Sequence, residues 1–332
     1  MLVTLIAIVA VVAFAASCIG TRALAALLRR AAVLDRPNER SSHAMPTPRG
    51  GGIAVVSAVA AAWIVFWAAG VLSVASLAIA AGMLALAAVS WIDDLKGLPP
   101  GWRLIAQVAV VAMGLWALPA GLLFQGWLPP RFDAIAGALA WIWFVNLFNF
   151  MDGIDGIAGS EAAAIGVGLV LIAGFGIGRD PGIAALGAVV AAAALGFLVW
   201  NWAPAKIFLG DVGSVPLGYV LGFLLLGLAA RGWWKAALIL PAYFLADATL
   251  TLLRRVARSE RVWQAHREHF YQRAVQRGLT HAAVVRRMIA ADIVLLACAW
   301  IAESGWGFVG LGVAAATVLL LLVELGRSRG SA

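Results

Sequence analysis

The sequence predicts an all-α integral membrane protein, a polytopic bundle of about eleven transmembrane helices in a single domain covering residues 1–332. Hydrophobic residues make up 64% of the chain and charged residues 12%, whereas soluble domains are about half apolar and a quarter charged. The mean hydropathy is +0.97. The apolar runs are far longer than the ~10 alternating residues of a barrel strand, so helices are the predicted spanning elements.

With about 20 apolar residues taken as one crossing, the chain divides into separate predicted spans. Two pairs of spans are divided only near Gly70 and near Ser304 and Gly305, so each pair is predicted to form a tight helical hairpin. The first span has no basic residue before its apolar core, which favours a retained helix over a cleaved signal. Cys18 and Cys298 lie in apolar runs and are predicted to be buried filler. The predicted spans are 2–28, 51–69, 71–92, 103–121, 134–151, 161–178, 183–202, 213–230, 235–256, 284–303 and 305–325.

Basic residues are unevenly distributed over the loops between these spans. Eleven crossings place alternate loops on one face, which then carries nineteen basic residues against four on the other. The positive-inside rule makes the first face cytoplasmic, with the amino terminus outside and the carboxyl terminus inside. The net charge of +8 is therefore explained by membrane orientation, and nucleic-acid binding is not needed to explain it. The longest cytoplasmic loop, 257–283, is predicted to contain a short amphipathic helix at the membrane surface.

Five polar motifs fall on the cytoplasmic face by the same count. Polar groups of this kind are costly in or beside lipid, so a functional site is the default interpretation. The working surface of the protein is therefore predicted to be cytoplasmic. The motifs are DRPNERSSHAMPTPRGGG at 35–52, IDDLKG at 92–97, NLFNFMDGIDG at 146–156, NWAPAKIFLGDVGS at 201–214 and HREHFYQR at 266–273.

A series of amides and carboxylates runs at three-residue spacing through the third motif. Residues three apart are neighbours on a helix face, and the glycines after it allow the backbone to leave the helix. Carboxylate and amide oxygens suit Mg²⁺ or Mn²⁺ rather than zinc. A helix cap explains one or two such residues but not four, so we predict a divalent-metal site. The series is Asn146, Asn149, Asp152 and Asp155.

Carboxylates also stand at two other predicted helix ends. Asp93 and Asp94 close the third span, where a helix carboxyl terminus disfavours negative charge, so the pair indicates function rather than a solvated end. Asp211 either caps the next helix or joins an anion cradle of glycine-flanked amides as a metal ligand. Lys206 and Phe208 nearby offer a phosphate-directed charge and a face for base stacking.

The last motif places two histidines among basic residues. His266 and His269 are three residues apart with Arg267 between them, which favours phosphate contact over zinc binding. Asp247, inside the ninth span, has Arg254 two helical turns further on. The two interpretations of Asp247, an internal ion pair and a substrate role, stay open here.

Taken together and in order, the five motifs resemble the polyprenyl-phosphate N-acetylhexosamine-1-phosphate transferases. This family includes phospho-N-acetylmuramoyl-pentapeptide transferase and the initiators of O-antigen and enterobacterial common antigen. The form HREHFYQR is similar to the O-antigen branch that uses UDP-activated FucNAc or QuiNAc, and it departs from the three-histidine and HxHH forms of the other branches. The sugar, of GlcNAc, FucNAc or QuiNAc type, is left open.

The resemblance implies roles for particular side chains. The implied Mg²⁺ ligands, with Mn²⁺ as the alternative ion, are Asn149 and Asp211. The implied catalytic residues are Asp93, Asp94, Asp211 and His266, with the aspartate pair serving the lipid phosphate and His266 the pyrophosphate. The implied substrate-binding residues are Asn146, Asp152, Asp155, Asn201, Lys206, Phe208, Arg267 and His269, with Phe208 stacked on uracil. A family lysine is replaced by Ser42, and Arg40, His43 or Arg49 is expected to substitute for it.

The resemblance also implies the reaction, its partners and the compartment. A phosphate oxygen of undecaprenyl phosphate would attack the β-phosphorus of a UDP-HexNAc, releasing UMP at the cytoplasmic face of a bacterial inner membrane and initiating O-antigen or related cell-wall polysaccharide synthesis. Membrane lipid is an expected partner, and a homodimer is left open. The rival hypotheses are an ion-coupled secondary transporter and a non-catalytic lipid-binding scaffold. Carboxylates at cytoplasmic helix ends, rather than near the bilayer midplane, favour the enzyme.

Overall fold

The protein is described by a computed structural model of helices with one two-stranded sheet. It describes residues 1–35, 45–176, 179–261 and 266–327. Strands β1 (Leu34–Asp35) and β2 (Thr47–Pro48) pair antiparallel. The helices are α1 Leu2–Arg30, α2 Gly52–Ala68, α3 Ser76–Lys96, α4 Pro100–Leu115, α5 Pro130–Phe150, α6 Ile157–Leu169, α7 Pro181–Asn201, α8 Asp211–Ala230, α9 Trp234–Ile239, α10 Ala242–Ala257, α11 Phe270–Gln276, α12 His281–Glu303 and α13 Gly307–Arg327.

Within the described ranges, seven helices are long and apolar enough to cross a membrane. They are α1, α3, α5, α6 with its continuation, α7, α8 and α13, while α2 and α4 are apolar but shorter. The prediction of an all-α, multi-pass membrane protein is confirmed. A helix lies within each of the eleven predicted spans, although the number of crossings stays a prediction.

Two predicted spans depart from a single regular helix. The ninth, 235–256, is divided into α9 and α10 at Leu240 and Pro241, because a proline has no N–H to donate and its ring obstructs the preceding turn. The sixth continues from α6 as a π-helix over Val170–Phe175, and its predicted end at 178 lies outside the described residues.

The two predicted hairpins are confirmed. α2 and α3 are joined through Gly70, and α12 and α13 through Gly305, with φ of 72° and 103°. A positive φ costs glycine little, so these positions let the chain reverse within a few residues. Cys18 and Cys298 are both free thiols. Cys298 is buried, as predicted, whereas Cys18 is only half-buried.

Helix α8 is the centre of the bundle. Of its most apolar stretch, 94% is buried, against 11% for α1. Its Gly222 lies so close to α5 that a Cβ there would meet the Trp141 ring at 2.6 Å, so small residues set the α5–α8 separation. The amino-terminal end of this central helix begins at Asp211.

The predicted short helix in the loop 257–283 is α11, and a buried aspartate holds it. The side chain of Asp247 accepts hydrogen bonds from the N–H groups of Phe270 (3.0 Å) and Tyr271 (3.3 Å), and it lies 3.1 Å from Nδ1 of His269. The guanidinium of Arg254 instead lies over the Phe270 ring, 4.6 Å from its centroid. Of the two interpretations left open for Asp247, the ion pair with Arg254 is wrong, because the aspartate faces the amino terminus of α11.

We predict that Asp247→Ala will lower the free energy of unfolding by at least about 3 kcal/mol, because several buried donors lose their acceptor. Thermal unfolding of the purified protein in detergent measures the change. Glu324→Ala, which removes an exposed carboxylate paired with Arg287, should cost no more than about 1 kcal/mol. Equal effects of the two variants would contradict the role given to Asp247.

Candidate active site

Three carboxylates from two separate motifs meet around two arginines. Nη2 of Arg49 lies 2.6 Å from Oδ1 of Asp211 and 2.9 Å from Oδ1 of Asp94. Nη1 of Arg103 lies 2.8 Å from Oδ2 of Asp93 and 3.5 Å from Oδ2 of Asp211. The structure thus brings Asp93, Asp94 and Asp211 together, as predicted, with each arginine bridging two of them.

Asp94 caps a helix other than its own. Its side chain is 2% exposed, and its oxygens accept hydrogen bonds from the N–H groups of Asp211 (3.2 Å) and Val212 (3.0 Å) at the start of α8. A carboxylate at this position satisfies unpaired amides and complements the helix dipole. The predicted anion cradle is therefore filled at these two amides by the protein itself, while the Asp211 side chain makes no capping bond.

Asp93 faces the other way, towards α4. Its Oδ1 accepts a hydrogen bond from the N–H of Leu98 at 2.6 Å, and its Oδ2 binds Arg103. The adjacent aspartates, which the sequence could not tell apart, consequently have separate environments. Asp94 is hydrogen-bonded to the start of α8, and Asp93 is paired with Arg103.

Close backbone contact positions Arg49. The N–H groups of Gly50 and Gly51 donate to the carbonyl of Phe208, and the N–H of Phe208 donates to the carbonyl of Pro48. At the next residue the chain meets α8, where a Cβ on Gly52 would lie 2.2 Å from Cα of Gly213. The segment TPRGGG is thereby fixed against the start of α8. Arg36, Arg40, Ser42 and His43, from the same motif, lie outside the described residues.

The asparagine and aspartate series is divided at the end of α5. Asn149 is in the last turn, and its Oδ1 accepts a hydrogen bond from the Ser214 hydroxyl at 2.6 Å. Ser214 follows Asp211 by one helical turn, so this hydrogen bond joins the end of α5 to the first turn of α8, which carries Asp211. Asn146 donates through Nδ2 to Oε1 of Gln107 at 2.7 Å, which makes it part of an α4–α5 contact.

The two aspartates of the series lie in the loop after α5. Asp155 accepts a hydrogen bond from the N–H of Ala205 at 3.0 Å and lies 3.3 Å from Nδ1 of His281. Burial and the negative charge of Asp211 raise the pKa of Asp152 well above its ordinary value, and Arg49 opposes that shift. Asp152 thus belongs electrostatically to the carboxylate cluster, whereas Asp155 links the loop to the start of α12.

Three residues predicted to bind substrate have other contacts. Asn201 is buried, accepting from the N–H of Gly156 (2.9 Å) and donating to the carbonyl of Ile207 (2.9 Å). Lys206 is exposed, with its ammonium 5.2 Å from the centroid of the Trp200 ring. Phe208 is half-buried and joins the TPRGGG segment through its backbone. Asn201 therefore shapes the loops, and Lys206 points to a different surface.

The two histidines differ in their surroundings. His269 is buried against Asp247, and the ring of His266 lies 4.9 Å from that of His269. Burial, with the neighbouring His269 and Arg255, lowers the pKa of His266 to about 4. His266 is therefore neutral at pH 7. Arg267, which lies between the two histidines in the sequence, accepts a hydrogen bond from Nε2 of Gln276 at its backbone carbonyl.

A cavity of about 640 Å³ begins beside this cluster and runs between α4, α5 and α10. Its polar lining includes Arg103, Asn149, His266 and His269, and its apolar lining includes Leu104, Leu139, Trp143, Phe150 and Leu252. A cavity that is charged at one end and apolar along its walls fits an amphiphile with an anionic head.

In the described ranges, no group of three or more His, Cys, Asp or Glu side chains is arranged to hold a metal ion. The donors near Asp211 are carboxylate and amide oxygens, which is the ligand chemistry of Mg²⁺. Magnesium usually keeps several waters and takes only one or two protein carboxylates, so Asp211 with Asn149 is a chemically suitable pair.

Sequence reasoning missed several partners. The sequence assigns no role to Arg103, Gln107 or His281, which contact Asp93, Asn146 and Asp155 respectively. Glu161 on α6 and Asp292 on α12 are buried, and their oxygens have no hydrogen-bond partner among the described residues. The signal for both was a single carboxylate inside an apolar run.

Comparison with known proteins places the chain among related sequences. The profile of glycosyl transferase family 4 matches residues 76–229. A Bacillus subtilis protein described as a probable undecaprenyl-phosphate N-acetylglucosaminyl 1-phosphate transferase is 30% identical over 285 residues, covering 82% of this chain and 78% of the relative. A Synechococcus phospho-N-acetylmuramoyl-pentapeptide-transferase is 32% identical over 74% of this chain and 76% of its own length. A Mycobacterium tuberculosis decaprenyl-phosphate N-acetylglucosaminephosphotransferase is 27% identical over 78% and 73%.

We predict that Gly213→Ala will destabilise the protein by about 1–3 kcal/mol, because the added Cβ would lie 2.6 Å from the backbone of Gly52. Thermal unfolding measures the loss, and hydrogen exchange should show new opening of residues 47–52. Gly312→Ala, where a Cβ meets nothing within 4 Å, should leave stability unchanged or slightly raised. Unchanged exchange at 47–52 in Gly213→Ala would contradict the proposed contact.

The lowered pKa of His266 predicts acid sensitivity. As pH falls from 6.5 to 4, the unfolded chain takes up a proton at this position that the folded chain does not, so folding is progressively disfavoured in that window. In His266→Asn, the melting temperature should fall less steeply between pH 7 and pH 4.5 than in the wild type. Parallel pH profiles of the two proteins would show that His266 titrates normally.

Proposed function

The chain belongs to glycosyl transferase family 4, and we propose that it transfers HexNAc-1-phosphate from a UDP-sugar to undecaprenyl phosphate, releasing UMP. The observation that carries this proposal is the cavity beside Asp93, Asp94 and Asp211, with its cationic and polar end and its long apolar wall. A phosphate head and a prenyl tail match these two ends.

The acceptor phosphate is assigned to the Asp93 side of the cluster. Arg103 lines the cavity and binds Asp93, so a phosphate entering along the apolar wall meets this pair. Arg103 supplies the charge that attracts the phosphate, and Asp93 orients it or accepts its proton. Because the second phosphate pKa is near 6, little basicity is needed, and a single displacement is favoured. The attacking oxygen bonds to the β-phosphorus as the bond to the oxygen of UMP breaks.

The donor is assigned to the Asp211 side. Arg49 lies between Asp211 and Asp94 and is available to a diphosphate at the start of α8. His266, neutral at pH 7, can serve as a hydrogen-bond partner but adds no charge. Asp152 and the ring of Phe208 remain candidates for the nucleotide-sugar. Holding both reactants in line provides much of the acceleration in phosphoryl transfer.

Mg²⁺ is proposed as the cofactor, with Mn²⁺ as a substitute. Asp211 and Asn149 would hold it, and when bound it would offset the negative charge that develops on the leaving UMP. The charges of the cluster explain why a bound cation is proposed. Three carboxylates face two arginines, so this group of side chains does not by itself neutralise an incoming diphosphate.

The membrane topology is proposed to have eleven crossings in a bacterial inner membrane, with the amino terminus outside and the site at the cytoplasmic face. The charge asymmetry of the loops supports this orientation. Eleven crossings require α2, α4, the α9–α10 pair and α12 to span together with the seven long apolar helices.

The sugar and the pathway are narrower proposals. The motif HREHFYQR favours FucNAc or QuiNAc and an O-antigen product, whereas the names of the relatives from B. subtilis and M. tuberculosis favour GlcNAc. Turnover with a panel of the three UDP-sugars distinguishes these donors.

The decisive test is UMP release by the purified protein supplied with undecaprenyl phosphate, each UDP-HexNAc and Mg²⁺. We predict that Asp211→Asn and Asn149→Ala will each reduce turnover at least about 100-fold, and that EDTA will stop the wild type reversibly. Thermal unfolding must show that the variants remain folded. Full turnover by Asp211→Asn at ordinary Mg²⁺ would refute the metal assignment.

Glu324→Ala, which changes an exposed carboxylate on α13, is the matched control and should retain wild-type turnover. A proteoliposome assay tests the rival transporter hypothesis. Substrate flux without UMP production would overturn the transferase proposal.

A further inference from the structure

Basic residues of α1 and of the loop after α7 form a patch around one tryptophan. The guanidinium of Arg22 lies 5.8 Å and the ammonium of Lys206 5.2 Å from the centroid of the Trp200 ring. Arg29, two turns after Arg22 on α1, donates from Nη2 to the carbonyl of Lys206 at 3.2 Å. We call these four residues the Trp200 patch.

The patch is held rigidly. Nε1 of Trp200 donates to the carbonyl of Cys18 at 3.0 Å, which fixes the indole against α1. The helices touch closely below it, since a Cβ on Gly196 would lie 2.4 Å from the carbonyl oxygen of Phe14. The cations therefore lie near an indole ring whose orientation is fixed.

The charges of the patch have no acidic partner among the residues that the structure describes. In the described parts of the chain, no ion pair joins Arg22, Arg29 or Lys206 to a carboxylate. Cation–π contact stabilises each cation by only about 0.5–1 kcal/mol at an exposed site and does not remove their mutual repulsion. An anion between them would do so.

The surroundings indicate where that anion comes from. α1 is the most exposed of the seven long apolar helices, and Ile19 and Leu27, at 68% and 59% exposure, flank the patch. Exposed apolar side chains on a membrane-spanning helix face lipid tails. Trp200 is one residue from the end of α7, the position at which tryptophan marks the membrane interface.

We propose that the Trp200 patch binds the phosphodiester head group of an anionic membrane phospholipid. Arg22 and Lys206 contact the phosphate, Arg29 adds long-range attraction, and the acyl chains lie along α1. This gives Lys206 a role separate from the carboxylate cluster. The patch would hold a structural lipid of the cytoplasmic leaflet at the α1–α7 junction.

Native mass spectrometry of the full chain in a neutral detergent tests this proposal, with phosphatidylglycerol and phosphatidylcholine of equal chain length as probes. The wild type should retain phosphatidylglycerol preferentially. Arg22→Gln with Lys206→Gln should weaken that retention roughly 25-fold, since each basic residue near a membrane surface contributes about fivefold. Phosphatidylcholine retention should not change.

Arg286→Gln with Arg327→Gln is the matched control, because it removes two exposed cations from α12 and α13 that lie away from tryptophan. It should alter phosphatidylglycerol retention less than twofold. Equal losses in the two double variants would show general electrostatic attraction and overturn the proposal, as would unchanged retention in the first. Thermal unfolding without added lipid checks that both variants are folded.

Three further outcomes distinguish other occupants. Inorganic phosphate should not displace the bound phospholipid, and its doing so would identify a soluble anion as the ligand. If Lys206→Gln leaves lipid retention unchanged but raises KM for the UDP-sugar, Lys206 serves the donor and the patch is not a lipid site. Loss of a dimer in place of loss of lipid would assign the surface to a second copy of the chain.

Discussion

The pairing of Arg49 with Asp94 and Asp211 is the interaction on which the arrangement of the site depends. Two carboxylates at the ends of membrane helices repel each other and are costly to bury without partners. The arginine compensates both, and the first amides of α8 compensate Asp94 a second time. Three motifs that are far apart in the sequence are consequently held at one point. Removing Arg49 would leave two neighbouring carboxylates without the cation that they share.

Glycine makes this pairing possible. The segment carrying Arg49 approaches α8 at Gly52 and Gly213, where backbone meets backbone and no side chain fits. Helix α8 is itself fixed by burial on nearly all sides, so its amino terminus is a rigid reference point. Electrostatic catalysis benefits from such rigidity, because groups that are already oriented need not reorganise when charge develops. The glycines of the motifs thus allow the backbone contact that positions the charged residues.

Sequence reasoning predicted the helices well and the pairings poorly, for a physical reason. Long apolar runs define membrane helices locally. The break at Pro241, which follows from its missing N–H, was not part of the prediction. Hydrogen bonds between distant segments carry no such local pattern. The capping of α8 by Asp94 depends on how α3 packs against α8, and the burial of Asn201 depends on two loops that meet across it. The family resemblance implied a substrate role for Asn201, whereas its geometry commits both ends of the amide to the backbone.

Hydrogen-bond partners separate the residues that stabilise the site from those that can contact a substrate. Asp94, Asp155 and Asn201 are hydrogen-bonded to backbone groups of neighbouring segments. His269 contacts Asp247 through Nδ1 and also lines the cavity. Asn149, Arg103 and His266 line the cavity, and Asp211 faces both arginines. With His266 neutral at pH 7, positive charge for an anionic substrate must come from the arginines or from a bound cation. The arginines are already shared among three carboxylates, which is why a divalent cation is the expected complement to this set of side chains.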